Sequence, residues 1–306
     1  MNVTRAPLRV TLAGGGLDLP GYYETYGGFT ISAAIDKYVY IAANRPPHST
    51  GYHLRYSSSE SVSEAADIVH PIFRETLAKT PPGIEIAVLA DVPAGTGLGS
   101  SGAFTVALLK NLHPDMPTRW LAEEASTVEI DRLERPCGLQ DAYIAAYGGV
   151  RCFTWAMSGA VTVNTIDVGP LAERLYLFSL GQTRDNTDTL ALQAQATENL
   201  HLTKHHAVTA LTYLKAGRWD DYGLSLNDQW ATKRDRAPGV TDRRIDLFLS
   251  AGLRAGALGG KLVGAGGGGY LLFYVPPDGD PDRLRETLML PELEFTWDTE
   301  GAKCMS

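Results

Sequence analysis

Residues 91–103 read DVPAGTGLGSSGA, and this stretch decides how the surrounding chain can fold. An apolar run, IEIAVLADVP, ends at Pro93, glycines follow at alternate positions, and an apolar segment with helical spacing comes next. Glycine lets a backbone approach a ligand closely, and the first turn of a helix offers unpaired N–H groups and partial positive charge. Ser100 and Ser101 add hydroxyls where a phosphate or Mg²⁺ would lie. The stretch predicts a strand, a phosphate-binding loop and a helix, in that order.

Two familiar phosphate loops are excluded by the neighbouring residues. No Lys-Ser or Lys-Thr pair follows the glycines, as a Walker loop requires, and GTGLGS does not open a recognisable Rossmann unit. A structural turn with a serine N-cap is the alternative that this segment alone leaves open.

Two further glycine-rich segments lie on either side of this loop in the sequence. Residues 259–270, GGKLVGAGGGGY, hold four consecutive glycines between apolar runs, so they belong to ordered structure rather than to a flexible linker. Such a run indicates either close backbone approach to a ligand or loop, or a tight hairpin. Residues 13–20, AGGGLDLP, carry one charge, Asp18, whose carboxylate could accept hydrogen bonds from sugar hydroxyls or cap a turn.

Around these loops the apolar pattern predicts strands and helices in the first half of the chain. LRVTLAG, GFTISAAIDKYVYIAAN and IEIAVLADVP are typical of strands bounded by turn formers. Residues 61–79, 101–113 and 119–134 carry apolar residues at helical spacing and would pack on that sheet. This half is α+β.

A second unit begins near residue 166. It starts with the strand-like RLYLFSLG and continues with a helical tract over residues 187–215 and further helices to residue 250. KLVGAGGGGYLLFYV and a last strand near LEFTW complete it. We expect two domains, over residues 1–165 and 166–306, that share one cleft.

Composition excludes several classes of protein. The 306 residues are 44% hydrophobic with a formal net charge of -8, so no basic surface indicates binding to nucleic acid or to an anionic membrane. The N-terminus, MNVTRAPLRV, lacks the pattern of a signal peptide, and no apolar run approaches the roughly 20 residues of a membrane helix. We expect a cytoplasmic enzyme whose partner is a small molecule. The oligomeric state, including a homodimer, stays open.

The three glycine-rich segments resemble, in order and approximate spacing, the motifs of the GHMP kinases, named for galactokinase, homoserine kinase, mevalonate kinase and phosphomevalonate kinase. Here they read RAPLRVTLAGGGLDLP, PAGTGLGSSGAF and KLVGAGGGGYLLF. The closer likeness is to bacterial D-glycero-D-manno-heptose 7-phosphate kinases, through stretches such as YYETYGG, EIDRLERPCGLQDAY and LGQTRD. The resemblance implies an N-terminal α+β domain around a left-handed β-α-β unit, a ferredoxin-like C-terminal domain, and ATP at their junction. A left-handed crossover is an exception to the usual rule and cannot be read from the pattern.

The resemblance also implies roles for individual residues. Asp141 in CGLQDAY would face the acceptor hydroxyl, and Arg9 would stabilise Asp141 as an anion or contact the transferring phosphoryl group. Ser101 and Glu129 would bind Mg²⁺ beside the phosphates of ATP. The alternatives are a solvated strand charge for Arg9 and a solvated helix face for Glu129.

The remaining implied site residues fall into two groups. The loop that binds ATP would comprise Pro93, Gly95, Gly97, Leu98, Gly99, Ser100, Ser101 and Gly102. The acceptor would contact Gly15, Gly16, Asp18, Tyr23, Arg184, Gly266 and Gly267.

Three positions depart from the heptose kinases, which usually read GGGTDLP and GKQDQ. This chain has Leu17 for the threonine, Leu139 for the lysine and Ala142 for the second glutamine. If that lysine helps to hold the substrate, its loss weakens the case for a 7-phosphate. A replacement charge could come from one of four residues: Arg184, Arg151, Lys233 or Arg234.

We therefore expect an ATP- and Mg²⁺-dependent kinase that phosphorylates the anomeric hydroxyl of D-glycero-D-manno-heptose 7-phosphate by direct in-line transfer. One alternative is a GHMP kinase for another sugar or cyclitol, such as a fucose-type hexose. Another is a catalytically silent regulator on the same fold that binds a nucleotide or sugar. Such a regulator would have lost the charged site residues, whereas Arg9, Ser101, Glu129 and Asp141 are all present.

Overall fold

The computed structural model describes residues 1–181 and 192–305. An eight-stranded sheet forms the N-terminal domain, in the order β12-β1-β2-β5-β3-β4, with β6 pairing with both β2 and β7. Its strands are β1 Asn2–Ala13, β2 Gly28–Asn44, β3 Tyr52–Arg55, β4 Ser59–Val62, β5 Ile84–Ala90, β6 Val150–Trp155, β7 Val161–Thr165 and β12 Lys303–Cys304. The three strands predicted in this half are confirmed as β1, β2 and β5.

The centre of this sheet is the long antiparallel pair β1 and β2. Their register runs from Asn2 opposite Ala43 to Ala13 opposite Ile31, and it shifts at Pro7. Proline cannot donate a ladder hydrogen bond, which accounts for the irregularity. Nearly all of β1 is buried, so the strand carries its few polar side chains into the interior of the molecule.

Five helices of the described chain accompany this sheet: α1 Pro20–Tyr26, α2 Pro71–Leu77, α3 Ser100–Leu112, α4 Thr118–Ser126 and α5 Gln140–Tyr147. The helix predicted over residues 101–113 is confirmed as α3. Residues 119–134 form most of α4 and then a π-helical turn, Thr127–Arg132, which carries Glu129.

The single helix predicted over residues 61–79 is wrong. Its first residues complete β4 and then form a short 3₁₀ turn, Ala65–Asp67, and the helix begins only at Pro71. A proline disfavours the helical conformation in the residue before it, and His70 is extended, with φ −67° and ψ 116°. The segment instead joins the parallel neighbours β3 and β5 through α2, which makes a β-α-β unit. The handedness of that unit stays a prediction.

The C-terminal domain is built on an antiparallel four-stranded sheet in the order β11-β8-β10-β9. Its strands are β8 Leu175–Ser179, β9 Gly259–Leu262, β10 Tyr270–Tyr274 and β11 Glu292–Leu293. Its helices in the described chain are α6 Thr197–Lys215, α7 Trp219–Arg234, α8 Arg243–Arg254 and α9 Pro281–Leu288. Counted within the domain, the strand order is 4-1-3-2 with helices between the first two and the last two strands, so the predicted ferredoxin-like topology is confirmed.

The two domains meet along the end of β1. The carbonyl oxygen of Leu12 accepts hydrogen bonds from Tyr222 on α7 at 3.2 Å and from Lys261 on β9 at 2.8 Å. The end of the chain also returns to the first sheet, where Trp297 bridges to Ile35 and β12 pairs with β1. The boundary between residues 165 and 166 stays a prediction. Over the described residues, none of the helices has the length and apolar character needed to span a membrane.

Candidate active site

A cleft of about 340 Å³ lies at the junction of the domains. The N-terminal domain lines it with β1, the glycine loop, the start of α3 and the segment before α5, and the C-terminal domain lines it with α6, α7 and the segment that follows β9. Among the residues described, its charged lining comprises five basic side chains, Arg9, Arg135, Lys233, Arg236 and Lys261, and three carboxylates, Asp18, Glu129 and Asp141. The cleft is therefore locally cationic in a chain whose formal net charge is -8.

The glycine loop needs its glycines both for conformation and for packing. Gly95, Gly97 and Gly99 have φ values of 76°, 82° and 77°, a region that other residues enter only with strain. A Cβ on Gly97 would come within 2.8 Å of the carbonyl oxygen of Val263, and one on Gly264 within 2.4 Å of the Cα of Gly97. In chain order, residues 13–20, 91–103 and 259–270 are the first, second and third glycine-rich segments. The second and third thus pack backbone against backbone, and the third also joins the antiparallel strands β9 and β10. It is both a hairpin and a site of close approach.

The start of α3 opens into the cleft. Gly99 is the N-cap residue and no side chain caps the helix, so the serine N-cap considered above is absent. Ser100 and Ser101 line the cleft in the first turn of this helix. The backbone donors of that turn and the helix dipole are therefore available to an anion.

Asp141 and Arg9 form an ion pair beneath the glycine loop. Arg9 Nε and Nη2 donate to the two carboxylate oxygens of Asp141 at 2.7 and 3.0 Å, and Arg9 Nη1 donates to the carbonyl oxygen of Gly97 at 2.5 Å. The Arg9 side chain is only 7% exposed, whereas that of Asp141 is 30% exposed. The pair fixes the carboxylate geometrically while leaving it accessible from the cleft.

Glu129 forms a second acid–base cluster at the start of α3. Its carboxylate accepts hydrogen bonds from the Ser101 hydroxyl, from Thr105 Oγ1 at 3.1 Å and from Arg135 Nη1 at 3.2 Å. Burial raises the pKa of Glu129, whereas the Ser101 hydroxyl and the positive charge of Arg135 act in the opposite direction. Glu129 is buried rather than placed on a solvated helix face.

This second cluster has the chemistry of a magnesium site. Across the residues described, no group of three or more His, Cys, Asp or Glu side chains is placed to hold a metal ion. Ser101 and Glu129 alone offer a hydroxyl and a carboxylate, which are hard oxygen donors. Mg²⁺ commonly takes one or two protein ligands and completes its octahedron with substrate phosphates and water. The donor set fits Mg²⁺ bound together with a nucleotide.

Asp18 links the first glycine-rich segment to the start of α5. Its carboxylate accepts hydrogen bonds from Gly16 N at 3.2 Å, from Gln140 N at 3.0 Å and from Gln140 Nε2 at 3.3 Å. It therefore caps its own turn and also the first turn of α5, although it still lines the cleft. Burial, with a contribution from the negative charge of Asp141, raises the pKa of Asp18, and the hydrogen bond from Gln140 N opposes that shift. A Cβ on Gly138 would lie 1.9 Å from Asp18 Oδ2, so a larger residue at this position would displace the Asp18 carboxylate.

The structure brings most of the predicted site residues together. The cleft is lined by Arg9, Gly15, Gly16, Asp18, Gly95, Gly97, Gly99, Ser100, Ser101, Glu129 and Asp141. Pro93, Leu98, Gly102, Gly266 and Gly267 support it from outside: for example, Leu98 O accepts from Arg9 N at 2.9 Å, and Gly267 N donates to Val240 O at 2.9 Å. Their contacts with ligands, like the roles of the lining residues, stay predictions.

One predicted substrate contact lies away from the cleft. Tyr23 lines a separate depression of about 180 Å³ together with Leu139, Glu123 and Asp131. Arg184 lies outside the described residues. The role of each in substrate binding stays a prediction.

None of the three residues that differ from the heptose kinases lines the cleft, so these differences do not remove charge from it. Leu17 and Ala142 are core residues, and Leu139 lines the Tyr23 depression instead of the cleft. Of the described candidates for a replacement charge, Arg151 bonds to Gly148 O at 2.7 Å on β6 and Arg234 pairs with Asp235 at the surface. Lys233 is the one among them that lines the cleft.

Several lining residues had no signal in the sequence strong enough to single them out. They are Arg135, Gln140, Gln193, Arg236 and Lys261. Gln140 does adjoin Asp141, and Lys261 lies within the glycine-rich residues 259–270. Gln193 and Arg236 lie in none of the stretches quoted above, and Arg135 lies in EIDRLERPCGLQDAY without being singled out there. The importance of all three comes from packing between distant segments.

Two family models match the chain: the GHMP kinases N terminal domain over residues 61–149 and the GHMP kinases C terminal over residues 210–289. A relative from Campylobacter jejuni, D-glycero-alpha-D-manno-heptose 7-phosphate kinase, is 26% identical, and the match covers 90% of this chain and 89% of the relative. A mevalonate kinase from Methanothermobacter thermautotrophicus is also 26% identical, with coverage of 82% and 84%.

A solved structure shows the same fold. The D-glycero-D-manno-heptose 1-phosphate kinase from Bacteroides thetaiotaomicron superposes with a TM-score of 0.81 at 23% identity, covering 100% of this chain and 99% of the other. The predicted two-domain architecture is thereby confirmed over the whole chain.

Proposed function

Because the chain belongs to the GHMP kinases, which are ATP-dependent phosphotransferases, we propose that it phosphorylates the anomeric hydroxyl of D-glycero-D-manno-heptose 7-phosphate. The product would be the 1,7-bisphosphate. Support for a heptose acceptor comes from the similarity to the C. jejuni heptose 7-phosphate kinase and from the basic lining of the cleft. We place the reaction in the cytoplasm, where ATP is available.

The observation that carries the proposal is the contact between Asp141 and the glycine loop. A Cβ on Gly99 would come within 3.3 Å of the Asp141 carboxylate, and one on Gly102 within 2.8 Å of Asp141 Cβ. The presumed base is thus packed directly against the loop and helix start that would hold the phosphates. Phosphoryl transfer depends mainly on bringing acceptor and phosphate together in line, and this contact provides that juxtaposition.

Asp141 and Arg9 would have different roles at the acceptor hydroxyl. Asp141 accepts the proton of the acceptor hydroxyl, or orients that hydroxyl towards the phosphate. Arg9 holds both carboxylate oxygens and so prevents the carboxylate from rotating away from the cleft. Because Arg9 Nη1 also donates to Gly97 O, the same guanidinium ties the base to the phosphate-binding loop.

The donors at the start of α3 and the Ser101–Glu129 pair would hold the nucleotide. Bound ATP supplies the transferring phosphoryl group, and bound Mg²⁺ neutralises charge on its oxygens. Arg135 keeps Glu129 paired and lies within 3.0 Å of Ser101 Oγ, so it orients both presumed metal ligands.

A second candidate function is phosphorylation of another sugar or cyclitol by the same site. It is favoured by the leucine that this chain has at position 139 in place of the lysine of the heptose kinases. A silent binding protein is disfavoured, since the ion pair of Arg9 with Asp141 and the cluster around Glu129 have the geometry of a working site.

An ADP-release assay over a panel of acceptors tests the proposal. The panel contains D-glycero-D-manno-heptose 7-phosphate, the free heptose, L-fucose, galactose and mevalonate, each with ATP and Mg²⁺. We expect the highest kcat/KM with the heptose 7-phosphate and, by ³¹P NMR of the product, a new phosphate on the anomeric carbon. A preference for fucose, galactose or mevalonate, or phosphorylation at another carbon, would refute it.

A further inference from the structure

The C-terminal side of the cleft carries three basic side chains that the roles proposed above do not use. Lys233 lies near the end of α7, Arg236 two residues beyond that helix, and Lys261 on β9. All three line the cleft, and Arg236 and Lys261 are only 7% and 6% exposed. We call these three residues the cationic wall.

The hydrogen bonds that the cationic wall donates all go to neutral oxygens. Lys261 Nζ donates to Leu12 O and Gln229 Oε1, both at 2.8 Å, and Lys233 Nζ donates to Leu262 O and Gly264 O. The acceptors of Arg236 are Gly15 O, Gln193 Oε1, Asn199 Oδ1 and Thr203 Oγ1. Within residues 1–181 and 192–305, none of the three basic side chains forms an ion pair with a carboxylate.

Positive charge held in this way is unfavourable until an anion joins it. Removing a cation from water costs free energy that neutral acceptors repay only in part. Burial lowers the pKa of Lys261 to about 7, and burial with the nearby charges of Arg236, Lys261 and Arg9 lowers the pKa of Lys233 well below its ordinary value. An anion in the cleft would relieve this repulsion.

Donors for such an anion remain on each side chain. An ammonium group has three N–H donors and a guanidinium has five. Lys233 and Lys261 each use two, and Arg236 uses four. In its protonated form each residue can therefore give one further hydrogen bond, and a phosphate group, which favours that form, has enough oxygens to accept all three.

The position of the wall indicates which phosphate it would receive. The phosphates of ATP already have the glycine loop, the start of α3 and the Ser101–Glu129 pair, which all belong to the N-terminal domain. Arg236 instead reaches the first glycine-rich segment, where its Nη1 donates to Gly15 O at 2.9 Å and would lie 2.7 Å from a Cβ on Gly16. The negative charge of Asp18, an implied acceptor contact, opposes the lowering of the Arg236 pKa by burial, so Arg236 lies near the position that we assign to the acceptor.

Building on the proposed function, we propose that the cationic wall binds the phosphate group of a phosphorylated acceptor and makes the enzyme select a sugar phosphate over the free sugar. This selection does not need the lysine that is missing at position 139, because the charge comes from the other domain.

Kinetics with paired acceptors test this site. Lys233→Met keeps the length of the side chain and removes its charge, and Arg234→Met, at an exposed neighbour paired with Asp235, is the control. We expect Lys233→Met to raise the KM for heptose 7-phosphate about 10- to 100-fold, the usual scale for a lost charge-assisted hydrogen bond. The KM values for free heptose and for ATP should change by less than about twofold, and Arg234→Met should match the wild type. An equal rise for both heptoses, or a rise for ATP instead, would overturn the assignment.

Binding of inorganic phosphate provides a test that does not depend on turnover. Isothermal titration calorimetry should detect phosphate binding to the wild type, weakened at least about tenfold in Lys233→Met at unchanged thermal stability. Heptose 7-phosphate should displace the phosphate, whereas an ATP analogue with Mg²⁺ should bind alongside it. Absence of binding, displacement by the ATP analogue, or equal binding to the variant would each refute the site.

The two proposals fail in different ways. If neither heptose is phosphorylated, the proposed function is wrong, and the cationic wall is then judged by phosphate binding alone. If heptose 7-phosphate is a substrate but Lys233→Met treats both heptoses alike, the proposed function stands and the wall is not the phosphate site.

Discussion

The two sides of the cleft differ in how their charges are balanced. On the N-terminal side each arginine of the cleft forms an ion pair with a carboxylate: Arg9 pairs with Asp141 at 2.7 Å and Arg135 with Glu129 at 3.2 Å. On the C-terminal side the cationic wall has only neutral acceptors within the described chain. Paired charges are already positioned and can act on a reacting group at once, whereas unpaired ones remain unfavourable until a ligand arrives. We therefore assign catalysis to the first side and recognition of the acceptor to the second.

Removing the charge of the presumed base should have the largest effect. Asp141→Asn leaves the glycine loop intact, so ATP binding should be nearly unchanged, while kcat falls on the order of a hundredfold or more. Steady-state kinetics and titration with an ATP analogue measure the two quantities. Asp115→Asn, at an exposed position, is the control and should behave as the wild type. Turnover close to normal in Asp141→Asn would remove Asp141 from its role.

Neutralising the presumed metal ligand should have the next largest effect. In Glu129→Gln, Arg135 loses its carboxylate partner and Ser101 loses its anionic neighbour while keeping the contact with Arg135, so the Mg²⁺ concentration for half-maximal activity should rise at least about tenfold. A titration of activity against Mg²⁺ measures this, with direct Mg²⁺ binding in the presence of an ATP analogue as a second readout. Glu124→Gln, which breaks the surface pair with Arg132, is the control. An unchanged Mg²⁺ requirement would contradict the assignment.

Crowding the contact between the first glycine-rich segment and α5 should destabilise the N-terminal side alone. A Cβ at Gly138 would lie 1.9 Å from Asp18 Oδ2, so Gly138→Ala should lower the free energy of unfolding by about 1–3 kcal/mol. Gly21→Ala is the matched control, since nothing lies within 4 Å of its Cβ position and alanine favours a helix. Chemical denaturation compares the two. If both variants had the same free energy of unfolding, the turn that contains Asp18 would be able to rearrange without a measurable loss of stability.

The remaining expected effect, no larger than that of Gly138→Ala, is a pH dependence of stability on the C-terminal side. The pKa of Lys261 is lowered to about 7 from an ordinary 10.5, so between these values the folded protein binds fewer protons than the unfolded chain. Stability should then rise with pH over this interval, by at most about 1.4 kcal/mol per pH unit relative to Lys261→Met. Denaturation of both proteins from pH 7 to pH 9 measures the difference, with Lys215→Met as the control for loss of an exposed lysine. A constant difference across this range would show that Lys261 stays charged in the fold.

Local patterns predicted much of the N-terminal side. Alternate glycines between an apolar strand and an apolar helix indicated the phosphate loop, and β5 and α3 lie where that pattern places them. The error over residues 61–79 came from apolar spacing that also suits a short strand followed by a turn, and Pro71 decided the outcome.

The sequence by itself determined the family through the resemblance of its three glycine-rich motifs. It also determined the position of the glycine loop, because that depends on neighbouring residues and on the φ freedom of glycine. Only the tertiary structure decided which charges meet. Arg9 and Asp141 are 132 positions apart, and Lys261 reaches Leu12 across 249. Whether a basic residue is solvated, paired or left facing a cleft depends on what the rest of the chain packs around it, and no local pattern contains that information.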